Sequence, residues 1–147
     1  MVNRLSRRTL GATHPSTTIK IQAIALGASV VIVAHSLGCL TVAHWAAKTH
    51  STIKAALLVA VPDPDGPNFP PEAIGFSPLP LQRFPFPSTV VVSTDAPYGS
   101  LAHSQACATV WGSRLVNIGA AGHINASSAL GQWPEGYALL QSLLGTK

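Results

Sequence analysis

The sequence predicts an α/β domain built on a mainly parallel sheet, and three observations carry that reading. Four short aliphatic or β-branched runs are continuous rather than alternating, as in strands buried on both faces. Stretches with helical spacing follow the first and third of these runs and close the chain, so strands are joined by crossover connections. The chain has 147 residues, 47% of them hydrophobic and 10% charged. That is the length of one domain with a real core, and it excludes disorder over most of the chain.

The elements follow in order. Residues 1–28 read as a basic, poorly ordered or divergent arm. Arg4, Arg7 and Arg8 lie in it, and without them the formal charge of +4 falls to +1. The body is therefore nearly neutral and lacks the basic face that a nucleic-acid partner needs. Ser6-Arg7-Arg8-Thr9-Leu10 resembles the start of a twin-arginine export signal. Such a signal has its own apolar segment and cleavage site, and the only apolar run here leads straight into the central motif. That run, from Ile21 past Val33, is too short and too punctuated to span a membrane. A cytoplasmic location is expected, with Cys39 and Cys107 as buried free thiols.

Residues 29–147 form the predicted domain. Ser29–Ala34 reads as a buried strand and residues 37–48 as the helix that follows, with Leu37, Leu40, Ala43 and Ala47 at helical spacing. Ala55–Val61, Thr89–Ser93 and Leu115–Ile118 are three further strands. A helix is expected over Leu101–Trp111, capped by Ser100 and stopped by Gly112. A last helix is expected over Pro134–Leu144, with proline in its first turn. Residues 62–87 are different: nine of the twelve prolines and all four phenylalanines lie there. Proline at that density forbids regular structure, while four phenylalanines exclude a solvated linker. The segment is an excursion that either patches the core or caps a substrate pocket.

The chemistry is concentrated in Val30-Val31-Ile32-Val33-Ala34-His35-Ser36-Leu37-Gly38. A buried strand, a turn of the form small-x-Ser-x-Gly and a helix together make a nucleophile elbow. The turn is sharp, so residues 34 and 38 must be small, because side chains there are expected to collide with neighbouring backbone. The serine itself sits in strained backbone. Ser36 becomes the candidate nucleophile, and the Leu37 amide the candidate oxyanion donor.

A serine nucleophile needs a base, and the base an orienting acid. In the α/β-hydrolase layout these follow in the order serine, acid, histidine, each after a later strand. His123, in Gly119-Ala120-Ala121-Gly122-His123-Ile124-Asn125, is the candidate base. Asp95, at the end of the third strand, is the candidate acid, with a carboxylate from the 63–65 loop in reserve. His35 adjoins Ser36, so its side chain is expected to point elsewhere. His44 and His103 fall on helices, and His14 and His50 in loops. The six histidines show no zinc-ligand spacing, so neither a metal nor a cofactor is expected.

Several further motifs surround these residues. They are Cys39 with His44-Trp45-Ala46, Ala56-Leu57-Leu58-Val59-Ala60, Phe84-Pro85-Phe86-Pro87-Ser88, Pro97-Tyr98 with Ser100, Trp111-Gly112, and Gly131-Gln132-Trp133-Pro134-Glu135-Gly136. With the elbow and the His123 loop they resemble the YdeN / retinoblastoma-binding protein nine family of small serine hydrolases, over about Val30 to Leu144. The resemblance implies an α/β-hydrolase fold, a three-layer sandwich. It also implies a Ser–Asp–His esterase-like mechanism, with Ser36 and His123 on the family's nucleophile and base. Two features depart from it. The family's second aspartate before the proline, which resembles its acid, is Ala96 here, and Asp95 matches the first. The family's front strand and Pro-Gly-Trp-like oxyanion loop have no counterpart in residues 1–28, so the fold reads as N-terminally abbreviated.

The functional expectation is a serine hydrolase acting on a small ester or related acyl compound. The alternative is a non-catalytic or truncated relative that binds without reacting. An open edge on Ser29–Ala34 makes self-association the other expected partnership.

Overall fold

Consecutive β-branched residues resist the helix and pack well on a pleated surface, and such runs build the first and third strands of the sheet. The structure is a computed structural model that describes residues 29–50 and 52–145. Its strands are β1 (Val31–His35), β2 (Ala55–Val59), β3 (Ser88–Val92) and β4 (Arg114–Asn117). They form one all-parallel sheet in the order β1-β2-β3-β4. The helices are α1 (Leu37–Ala46), α2 (Leu101–Trp111) and α3 (Pro134–Leu144). The basic arm expected over residues 1–28 lies outside the described residues.

Strand boundaries differ from expectation by one or two residues, and the shifted ends of β1 and β2 have a local cause. β1 runs on to His35 because the parallel register pairs His35 with Val59. β2 stops at Val59 because Ala60 turns to φ 55°, outside any strand conformation. Residues 47 and 48 leave α1 as a turn. For α2, the Ser100 side chain accepts from the His103 amide, and Gly112 closes the helix at φ 70°.

Successive strands step in one direction across the sheet, so right-handed crossovers send every connection between them to one face. That face carries α1, α2 and the excursion. It holds the larger core, with Ala34, Ala56, Leu58 and Val90 from the sheet, Leu40 and Val42 from α1, and Cys107 and Trp111 from α2. Phe76, Phe84 and Phe86 complete it. Phe84 stacks on Trp111 at 4.9 Å between ring centres and on Phe86 at 5.2 Å, and Trp45 stacks on Phe86 at 5.9 Å. The Trp111 indole N–H donates to the Pro80 carbonyl at 2.9 Å. Burying each such ring is worth about 2–3 kcal/mol, so the excursion belongs to the core.

The opposite face is covered by α3. Leu139, Leu140 and Leu143 pack there with Leu57, Val59, Val91 and Ile124. The molecule is thus a three-layer α/β sandwich. α3 lies over β2 and β3, and Val33 on β1 remains 59% exposed. Among the described residues the outer edge of β1 pairs with no strand. No helix among them is long and apolar enough to cross a membrane.

Candidate active site

Because all four strands are parallel, their C-terminal ends emerge on one side, and the site is assembled there. Ser36 follows β1 directly. Its backbone N–H donates to the Val59 carbonyl at 3.0 Å, extending the ladder by one step. The chain then turns through φ 55°, ψ −124° into α1. A non-glycine residue held with positive φ costs on the order of 1–3 kcal/mol and persists only where its surroundings over-determine it. Leu37 heads α1, so its N–H has no intrahelical carbonyl to bind and is left at the positive end of the helix. Outside its own helix, position 38 does not meet the backbone clash expected of it. A Cβ there would meet the Ala34 Cβ at 3.5 Å, an ordinary contact, and no backbone.

His123 stands on the loop after β4. Gly122 at φ 55° and Ile124 at φ 50° flank it, both in the left-handed region. A β-branched residue with positive φ is a genuine outlier; Ile124 holds it because its side chain is buried against α3 and the sheet. Three hydrogen bonds stitch this loop to the end of β3. Thr94 N–H donates to the Gly119 carbonyl at 2.9 Å, Ala121 N–H to Ser93 Oγ at 2.8 Å, and Gly122 N–H to Asp95 Oδ1 at 2.7 Å. The loop so held places His123 Nε2 3.0 Å from Ser36 Oγ. For Nε2 to accept that hydroxyl, the neutral ring carries its proton on Nδ1.

The structure therefore brings Ser36, Leu37 and His123 together. Asp95 is in the same loop cluster but does not hydrogen-bond the imidazole among the described residues. Its Oδ1 takes the Ser93 hydroxyl at 2.6 Å and the Gly122 amide at 2.7 Å. These two bonds, the Ser93 one foremost, hold its carboxyl below the ordinary 3.8. Asp63 and Asp65 are engaged within their own loop. Asp63 Oδ1 accepts the Asp65 N–H at 3.0 Å, and Asp65 Oδ1 accepts the Ser77 hydroxyl at 2.7 Å.

One neighbour departs from the sequence expectation. His35 does not point away from the site. Its Nε2–H donates to the His123 carbonyl at 2.8 Å, and the two rings lie 4.7 Å apart. Tyr98 meets His123 edge-on at 4.7 Å. Desolvation first, and the nearby His35 second, lower the His123 pKa from its ordinary 6.5. A cavity of about 500 Å³ opens beside the ring, lined by Asp95, Tyr98, Gly122, His123, Asn125 and Ser127. The excursion reaches this region only through its first residues: Asn68 Nδ2 donates to the Pro97 carbonyl at 2.8 Å, and Asp63 N–H to the Tyr98 carbonyl at 2.8 Å.

Two of the remaining histidines have structural partners. His44, buried on α1, donates to the Phe76 carbonyl at 3.0 Å, and His103 to the Pro62 carbonyl at 3.1 Å. His50 is exposed, and His14 lies outside the described residues. Cys39 and Cys107 are free and buried. Among the described residues no three His, Cys, Asp or Glu side chains are grouped to hold a metal ion.

A strand–turn–helix serine paired with a loop histidine after the last strand is a hydrolase arrangement, and comparison with known proteins agrees. A family model described as serine hydrolase matches residues 16–142. Among solved structures, a protein described as a YdeN-like hydrolase from Pectobacterium atrosepticum superposes with a TM-score of 0.76 at 25% identity, over 88% of this chain and 67% of that one. The ydeN gene product of B. subtilis gives 0.69 at 18% identity, over 88% and 73%. A hydrolase from Pseudomonas aeruginosa gives 0.64 at 16%, over 88% and 70%. No curated protein matches the chain.

Proposed function

The chain belongs to the serine hydrolase family, with a YdeN-like α/β-hydrolase fold, and from that premise we propose that it cleaves a small ester or related acyl substrate through Ser36 and His123. The observation that carries this is the 3.0 Å contact between Ser36 Oγ and His123 Nε2, with Ser36 held at φ 55°. Strain of that kind at the head of a helix serves to raise the hydroxyl above the sheet.

The chemistry follows from these positions. Ser36 Oγ attacks the acyl carbon while His123 Nε2 takes the hydroxyl proton. The carbonyl oxygen becomes an oxyanion, and the Leu37 N–H donates to it. The tetrahedral adduct collapses, the ester C–O bond breaks, and His123 returns the proton to the departing alcohol. Water then attacks the acyl-serine with His123 again as base, releasing the acid and restoring Ser36. Asp95 contributes by fixing the Gly122 amide, and so orients His123 through its backbone.

A fluorophosphonate probe tests this reading. It is expected to modify Ser36, identified by peptide mass, and to leave the Ser36→Ala variant untouched. One observation favours a second reading, a relative that binds acyl compounds without turning them over: Asp95 Oδ1 is committed to Ser93 and Gly122. Folded protein that binds an ester but resists the probe would establish that reading instead.

A further inference from the structure

We propose that His35 is a positioning residue for His123, orienting the base from the side of β1 in place of a carboxylate on the ring. The proposal rests on the assignment of His123 as the base. Among the described residues, the Nδ1 side of His123 has no hydrogen-bond partner, so nothing on that nitrogen fixes the ring's rotation. What surrounds the ring is a clamp. The His35 Nε2–H pins the His123 carbonyl at 2.8 Å, and its ring lies against the His123 ring at 4.7 Å, tilted by 59°. Tyr98 also meets the ring edge-on, at 4.7 Å. Against a carbonyl oxygen, Nε2 of His35 must be the protonated nitrogen, so the bond survives in both charge states of that ring.

The clamp differs from a carboxylate in one respect. A carboxylate stabilises the imidazolium that forms when the base takes the serine proton. His35 gives orientation without that stabilisation, and when it is protonated it opposes the imidazolium. The titratable groups around His123 are His35 from β1, and Tyr98 and Asp95 from the loop after β3. Asp95 Oδ1 accepts from Ser93 and Gly122, and of the three groups only the imidazole of His35 can take a positive charge.

The test uses His35→Ala, which removes the ring and the donor, and His35→Gln, which keeps an N–H donor and removes the charge. His35 is exposed, and both variants are checked for folding by thermal unfolding. The rate of fluorophosphonate labelling is measured against pH, and the His123 ring is titrated separately by NMR. Misplacing a reacting group by an ångström costs about 10²-fold, so His35→Ala is expected to label about that much more slowly. His35→Gln should recover most of the rate. In both variants the His123 titration should move to higher pH. Unchanged labelling in His35→Ala, equal losses in the two variants, or an unmoved His123 titration would each overturn the proposal. Wild-type protein that resists the probe refutes the hydrolase reading, while the NMR titration still decides whether His35 governs His123.

Discussion

Among the described residues two clusters hold a nucleophile beside a histidine, and they differ in what the histidine can accept. Ser36 and His123 meet at the ends of β1 and β4. Cys107, His103 and Asp63 meet where α2 packs on the start of the excursion. Cys107 Sγ lies 3.5 Å from His103 Nε2, and His103 Nδ1 lies 3.8 Å from Asp63 Oδ2. By inventory the second cluster is the more complete, with nucleophile, imidazole and carboxylate in line. Yet His103 Nε2 also donates to the Pro62 carbonyl at 3.1 Å. The nitrogen facing the thiol therefore carries a proton and has no lone pair to receive another. Burial and the nearby Asp63 charge push the Cys107 thiol up to about 12. In the first cluster the nitrogen facing the nucleophile is free to accept. A catalytic set is thus recognised by an available lone pair and a reachable nucleophile, and residue types alone do not identify it.

The sharpest way to break the comparison is Ser36→Ala. It should abolish esterase turnover and probe labelling, a loss of about 10⁴-fold or more. Cys107→Ala should leave both unchanged. Turnover that survives the first and falls with the second would reverse the assignment of the two clusters.

Ala96→Asp gives the first cluster the carboxylate that the second already has. Removing the acid from a complete triad costs about 10⁴-fold, so kcat should rise substantially and by no more than that. No rise would mean that Asp95 already performs this role. A pH profile gives a smaller effect. The His123 pKa lies below 6.5, so the base is neutral above it and activity is full there. The labelling rate should fall about tenfold per pH unit once pH drops below that depressed value. A midpoint above 6.5 would mean that a carboxylate governs the ring after all.

The second cluster should register in stability and leave the rate alone. His103→Ala removes the Pro62 bond and the contact with Asp63, worth about 1 kcal/mol together. Thermal unfolding should report that loss while kcat stays level. Cys107 should resist iodoacetamide in the folded protein at neutral pH.

How far these clusters are legible in the sequence depends on how local their causes are. α2 announces both ends through Ser100 and Gly112, and α3 its start through Pro134, because these backbone preferences act within one turn. Ser36 is legible because a β-branched run, a small-x-Ser-x-Gly turn and a helix follow one another within a few residues. His123 is legible because glycines cluster around it after the last strand. The orientation of His35 is not legible. It lies on the same side of β1 as Val33, and it meets His123 only because the chain after β4 crosses to the face that carries α3. That crossing is a property of the whole sheet. The commitment of Asp95 to Gly122 depends likewise on how two loops, twenty-seven residues apart, dock. The excursion is a middle case: its phenylalanines signal burial, but only the stacked set with Trp45 and Trp111 assigns Phe84 and Phe86 to the core and not to a pocket wall.

The parallel sheet has a consequence for redesign. Every residue of β2 and β3 is buried, and every segment that touches the reacting atoms leaves the upper rim of that sheet. The rim loops at 93–98 and 118–125 can therefore be varied at their exposed positions over an unaltered base, with His123, the buried Ile124 and the Thr94–Gly119, Ser93–Ala121 and Asp95–Gly122 bonds kept fixed. A library that varies Ala96, Tyr98 and Asn125 while keeping those joints would search for new acyl specificities without putting the core at risk.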